Sequence, residues 1–141
     1  MFTGNYERTL DGKGRLVLPP KHRSKLPGVG FLAPRGDRLG LYPPQEFEDM
    51  LDRVTERVRN GEVHPDALIG LSSSAEEVEL DAQGRIGLPP RLRAKAGFDT
   101  NEVVVVGAVR HIEIWSAARW AERNETLEAK AAEAIAQGKT I

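Results

Sequence analysis

Leu10-Asp11-Gly12-Lys13-Gly14-Arg15-Leu16-Val17-Leu18-Pro19-Pro20-Lys21-His22-Arg23-Ser24-Lys25 returns seventy positions later as Leu80-Asp81-Ala82-Gln83-Gly84-Arg85-Ile86-Gly87-Leu88-Pro89-Pro90-Arg91-Leu92-Arg93-Ala94-Lys95. A repeated segment implies a repeated task, whereas an enzyme normally needs one asymmetric site. Asp11 to Gly14 reads as a hairpin turn, and so does Asp81 to Gly84. Only the last glycine is shared, which fits a type I turn closed by a residue at positive φ, with the aspartate accepting backbone N–H bonds. A strand follows each turn. Leu16 and Leu18 share one face, as do Ile86 and Leu88, and the arginines Arg15 and Arg85 point to the other. The proline pairs end these strands and open short helices over 21–26 and 91–96.

Working outward, residues 6–10 read as the strand before the first turn. Strands over 31–33 and 38–42 have partners over 103–106 and 111–115, and the segment 27–30 closes the first short helix. Leu39, Leu41, Tyr42 and Phe47 match Ile112, Ile114, Trp115 and Trp120, so each unit is strand, turn, strand, short helix, strand, strand, helix. Phe47, Met50, Leu51, Val54 and Val58 fall at helical spacing, and residues 44–59 read as an amphipathic helix. A short helix over 65–71 and a junction at Ser72-Ser73-Ser74 lead into the second copy. Residues 117–137 read as a helix with a thin apolar stripe, its end fraying or packing on a neighbouring chain. The organisation is a first unit at 5–47, a helical connector at 48–74, a second unit at 75–120 and a helical tail at 121–141. A unit of this size buries too little surface alone, so the two are expected to share a core.

The 141 residues carry a formal charge of −1 and no cysteine, which excludes disulfides and thiolate metal sites. The first residues do not have the form of a signal peptide, and the longest apolar run, 103–106, is far short of a membrane span, so a soluble cytoplasmic protein is expected. Charge is segregated. Arg8, Lys13, Arg15, Lys21, Arg23 and Lys25 face the single acid Asp11 between positions 8 and 25, while Glu76, Glu77, Glu79 and Asp81 cluster at the start of the second copy. If DNA is the partner, local patches must bind it.

Arg15 and Arg85 are the leading candidates for contact with a base edge or phosphate, because a strand arginine beside a glycine turn can pair bidentately with guanine. Asp11 and Asp81, with Gly14 and Gly84, are assigned to building the turns. The alternative for the whole motif is an ion pair across each hairpin. Arg8, Lys13, Lys21, Arg23, Arg91 and Arg93, with Lys25 and Lys95, are candidate phosphate contacts, against a plain solvated helix face. Gln83 stands for Lys13 and Val78 for Arg8 in the second copy, so the first unit should contribute more binding energy. His22, His64 and His111 are too scattered for a metal site and are assigned to surface or packing roles. Glu76 and Glu77 lack a nucleophile or histidine partner, so catalysis is not expected, and neither is a cofactor. Tyr42, Phe47, Trp115 and Trp120 are assigned to the core.

The Met-Phe-x-Gly-x-Tyr start, the paired Leu-Asp-x-x-Gly-Arg-[Leu/Ile]-x-Leu-Pro segments and the Glu-Ile-Trp strand resemble the MraZ family of bacterial transcriptional regulators from Met1 to about Trp120. The resemblance implies an α+β, mainly β fold: a tandem AbrB-like (SpoVT-AbrB) swapped-hairpin β-barrel, pseudo-twofold within one chain and flanked by helices. It implies closed rings, commonly octamers, and binding to double-stranded DNA at direct-repeat promoter boxes. The regulated genes would be its own division and cell wall operon, usually repressed, and the protein would sit at the nucleoid. DNA contacts map to Arg15 and Arg85 with nearby basic residues. His22 departs from the family's aromatic or apolar residue, and Gly87 from its strand former. Two other readings stay open: a ring-forming scaffold whose arginines make subunit salt bridges, and an antitoxin-type DNA-binding regulator.

Overall fold

The computed structural model describes residues 1–139. The first copy contributes β1 (Asn5–Thr9), β2 (Arg15–Val17), α1 (Pro20–Arg23), β3 (Val29–Arg35) and β4 (Arg38–Tyr42). The helices α2 (Pro44–Arg59) and α3 (Pro65–Ser74) follow. The second copy repeats the order with β5 (Glu76–Glu79), β6 (Arg85–Gly87), α4 (Pro90–Lys95), β7 (Glu102–Gly107) and β8 (Ile112–Ser116), and α5 (Ala117–Ala136) ends the chain. The class is α+β with mainly antiparallel strands, as the sequence predicts.

The copies interlock through strand pairing. A six-stranded sheet runs β1-β7-β8-β4-β3-β5, and β2 pairs with β6 in a separate two-stranded ribbon. The first strand of each copy therefore lies against the third strand of the other: β1 on β7 and β5 on β3. The ribbon is centred on Leu16 opposite Ile86, and the β4/β8 contact on Gly40 opposite Glu113. Backbone hydrogen bonds within each hairpin lie beside its turn, where Asp11 N donates to Arg15 O at 3.0 Å and Asp81 N to Arg85 O at 2.9 Å. Beyond the turn, β2 and β6 use their backbone groups on each other. Among the described residues no ladder closes the sheet into a barrel; β1 and β5 are its edges.

Alternation along the strands builds the core. Leu16, Leu18, Ile86 and Leu88 from the ribbon meet Leu32, Leu39, Leu41, Val103, Val105, Ile112 and Ile114 from the sheet. The sheet's other face carries Ala33 and Tyr42, which pack with Phe47, Met50 and Leu51 of α2 and Leu71 of α3. The aromatic residues assigned to the core do pack: Trp115 meets Trp120 edge-on at 5.2 Å, and Phe31 stacks on Phe47 at 4.7 Å. On the same face Glu113 is buried opposite Gly40. It accepts from Arg35 Nε at 3.0 Å, Arg38 Nη1 at 3.3 Å and Trp115 Nε1 at 3.0 Å, and pairs with His111 Nε2 at 3.0 Å. Burial alone would raise its pKa; the hydrogen bonds from His111, Trp115 and Arg38 outweigh this and hold it at about 2.

Among the differences from the sequence reading, two boundaries stand out. Residues 72–74 continue α3 instead of forming a junction, with the serine hydroxyls donating back along the helix: Ser72 to Ile69 O at 3.3 Å and Ser74 to Gly70 O at 2.7 Å. Strand β3 runs from Val29 through Pro34, although 27–30 reads as a helix stop. Gly30 belongs there because a Cβ would lie 3.0 Å from Leu41 Cδ1, and Pro34 is tolerated because pairing with β5 ends at Leu32. On α5 no residue is fully buried, and the tail end of its stripe is open to solvent at Ile135.

His22 has the packing role expected of it. It is fully buried, edge-on to Phe2 and Tyr6 at 5.4 Å each, where the second copy has Leu92. Burial lowers its pKa, reinforced by the charges of Lys21 and Lys25, while the Thr3 backbone partly offsets them. Neither ring nitrogen reaches hydrogen-bond geometry with any described residue. His22→Leu, copying the second unit, should therefore stabilise the fold by about 1–2 kcal/mol in urea denaturation at neutral pH. Because the folded-state pKa lies below the unfolded one, the wild type should lose stability as pH falls from about 6.5, where the unfolded chain takes up the proton. The His22→Leu protein should lack that component, which parallel denaturation series between pH 7 and 5 would show.

Candidate nucleic-acid interface

The two turns have the predicted geometry. Gly14 and Gly84 sit at φ of 73° and 75°, and each amide donates to the carbonyl of its aspartate, at 2.9 and 3.0 Å. Asp11 Oδ1 accepts from Lys13 N and Arg15 N, both at 2.9 Å. Asp81 Oδ1 does the same with Gln83 N and Arg85 N. The second carboxylate oxygen takes the arginine: Arg15 Nε lies 2.7 Å from Asp11 Oδ2 and Arg85 Nε 2.7 Å from Asp81 Oδ2. The hydrogen bond from the Arg15 amide, helped by the Arg15 side chain and the Lys13 amide, holds Asp11 at a pKa of about 2. The Arg85 amide likewise lowers that of Asp81. The ion-pair alternative thus describes the geometry, with Nε of each guanidinium engaged by its own turn's aspartate. Among the described residues, Arg15 makes no hydrogen bond besides these to Asp11.

Both arginines stand on the outer face of the ribbon, because Leu16, Leu18, Ile86 and Leu88 turn inward. Arg15 is opposite Gly87 and Arg85 opposite Val17. The arginine side chains remain 34% and 25% exposed, enough for a partner to reach them. Arg85 Nη1 also lies 4.0 Å from Asp11 Oδ2, so one carboxylate sits beside arginines of both copies. Lys13 is exposed at the first turn and Gln83 at the second. Val17, which the sequence reading did not single out, shares this face and is exposed. Its signal was its place in the alternation, two residues after Arg15.

The other basic candidates are more engaged than the sequence indicates. Arg23 Nη1 donates to Gln83 O at 3.0 Å, and Arg93 Nε to Leu88 O at 3.0 Å. Each covers the other copy's turn: a Cβ on Gly84 would overlap Arg23, and one on Gly14 would lie 2.9 Å from Arg93 Cζ. Arg8 donates to Val17 O at 3.2 Å and Glu7 O at 2.9 Å. Arg91 donates to Ser74 O at 3.3 Å and lies 3.9 Å from Glu76. Lys21 is exposed, with Nζ 5.4 Å above the Tyr6 ring. Lys25 donates to Met1 O at 2.6 Å, and Lys95 is exposed beside Asp99 in an open pocket of about 310 Å³. Arg15, Arg85 and Lys13 are therefore brought together, while Arg8, Arg23 and Arg93 are tied to the ribbon's backbone. Among the described residues no group of His, Cys, Asp or Glu could hold a metal ion, and no helix is long and apolar enough to cross a membrane.

Comparison with known proteins agrees with the motif. A family model described as "MraZ protein, putative antitoxin-like" matches residues 1–62 and 71–139, which includes both turns. A protein of Thermomicrobium roseum named "Transcriptional regulator MraZ" is 39% identical over 134 residues, covering 92% of each chain. Proteins of the same name from Mycolicibacterium gilvum and Corynebacterium efficiens are 38% and 40% identical, each covering about nine-tenths of both chains. Two matched copies, the doubled turn motif and this coverage make the chain a member of the MraZ family.

Proposed function

We propose that this chain is a sequence-specific DNA-binding transcriptional regulator that reads duplex DNA with the outer face of its β2/β6 ribbon. The observation that carries the reading is the pair of outward arginines, each held by Nε on its turn aspartate and each partly exposed on the outer face of the ribbon. A major groove admits a two-stranded ribbon, and arginine meets guanine bidentately there. Fixing each guanidinium beforehand reduces the ordering cost of the contact. Lys13 and Lys21 supply phosphate contacts. Arg8, Arg23 and Arg93 fix the ends of the ribbon, and they and Arg91, held at Ser74 O, offer remaining N–H groups to the backbone of the DNA. The relatives' printed name supports a role in transcription.

The exchanged pairing of β1, β2, β5 and β6 supports reading 5–47 and 75–120 as the two halves of an AbrB-type swapped-hairpin unit, with 48–74 and 121–141 as accessory helical segments. Within that reading the protein represses its own division and cell wall operon at the nucleoid. It does so as a ring, with eight chains the expected number. A head-to-tail ring presents equivalent ribbons in one direction, which suits direct-repeat boxes, and adjacent chains on adjacent boxes gain by effective concentration.

The test is binding to the DNA upstream of the protein's own gene beside a scrambled duplex, across a salt series. The upstream duplex should bind more tightly, and both affinities should fall steeply with salt. Equal weak binding to both would favour a scaffold. Arg15→Ala and Arg85→Ala should each lower affinity for the upstream duplex by about 5- to 150-fold, the equivalent of one lost bidentate base contact. They should leave the assembly size in sedimentation unchanged; loss of the assembly instead would assign these arginines to subunit contacts. Lys13→Ala should weaken upstream and scrambled duplexes alike and reduce the salt slope by about one.

A further inference from the structure

The ribbon's outer face breaks the symmetry of the repeat at one position. Val17 and Gly87 occupy equivalent places, two residues after Arg15 and Arg85. Val17 is 42% exposed although Leu16 and Leu18 on either side are fully buried. Those neighbours fix its direction: a rotation that buried Val17 would expose both leucines. Its branched side chain has little rotamer freedom and stands opposite Arg85. Gly87 is not required by crowding, since a Cβ there would meet nothing within 4 Å. The two halves of the face therefore differ by a rigid apolar group for no steric reason inside the protein.

We propose that Val17 is a base-reading residue that packs against the 5-methyl group of a thymine in the major groove, beside the base met by Arg85. The proposal rests on the DNA-binding reading above. Valine offers no hydrogen bond, and the thymine methyl is the apolar group a major-groove edge displays. Burying the two together favours thymine over the other bases. On the other half, Gly87 leaves the neighbour of Arg15's base without a side chain to read it. The glutamine at the second turn strengthens the asymmetry. Gln83 is exposed at the second turn, which packs on the Val17 half of the ribbon through the Leu18 N to Gly84 O bond at 3.0 Å, where the first turn carries Lys13. A ribbon with identical halves would match a palindrome; this one fits a site with a direction.

The upstream duplex made with thymine and the same duplex made with uracil differ only in the methyl groups. The wild-type protein should bind the uracil duplex about fourfold more weakly for each methyl contacted. Val17→Ser, a change at an exposed position outside the core, should bind both duplexes equally while circular dichroism matches the wild type. Equal binding of the two duplexes by the wild type would overturn the proposal without variants. Equal discrimination by Val17→Ser and wild type would also overturn it, placing methyl reading elsewhere. If the wild type does not prefer the upstream duplex over the scrambled one, the DNA-binding reading itself fails and the proposal falls with it.

Discussion

Each copy's turn is completed by the other copy. Leu18 N donates to Gly84 O and Leu88 N to Gly14 O, both at 3.0 Å, and the arginines Arg23 and Arg93 lie where a Cβ on the opposite glycine would stand. This mutual closure is the constraint on which the rest depends. The two positive-φ positions favour glycine by backbone conformation, and the opposite copy's arginines fill the space beside them. The closure commits β2 and β6 to each other, so β1 and β5 must find partners in the opposite copy's third strands. A single copy would expose both its ribbon strand and the leucines beneath it. The shared core is a consequence of the exchanged backbone hydrogen bonds.

The aspartates serve the turn and the arginine with different oxygens. Oδ1 takes two backbone amides and Oδ2 takes the guanidinium Nε. Lysine could not replace arginine here, because a single ammonium held by the aspartate would leave no second planar edge to present. The lowered pKa of Asp11 keeps this arrangement charged through the physiological range. Its contribution is complete above the unfolded value near 3.8 and is lost only as pH falls toward about 2. The placement of both arginines is thus set by bonds within five residues.

That locality explains what the sequence disclosed. The turn type, the glycine conformation and the outward arginines all follow from i to i+4 relations, and each is found where the repeat places it. Exchange of strands between copies is a long-range choice. Residues 6–10 read as a strand in either pairing, so the sequence limits the answer to a shared core without specifying the partner. Arg23 reads as a candidate phosphate contact or a solvated helix face, since the carbonyl it binds, at Gln83, lies in the other copy's turn and beyond any local pattern. Glu113 gave no signal within its alternating strand: its donors Arg35 and Arg38 come from another copy, and it sits opposite Gly40. Ser72 to Ser74 were misread because serine competes with the helix backbone in general, yet here bonds back into it.

A net charge of −1 is compatible with this interface because attraction and recognition fall to different residues. Each Asp–Arg pair is neutral as a unit, so Arg15 and Arg85 add little long-range field. Their value lies in short-range geometry, where a positioned guanidinium edge distinguishes base pairs. In the proposed reading, phosphate attraction comes chiefly from Lys13 and Lys21, whose contacts would release counterions and carry the salt dependence. Under the proposed function such a face would bind weakly to arbitrary DNA, since its central charges are already satisfied, and would gain affinity where base edges fit the two arginines and Val17 beside Arg85. Low background binding and repeated weak sites are the conditions under which an assembly of several chains gains most from acting together.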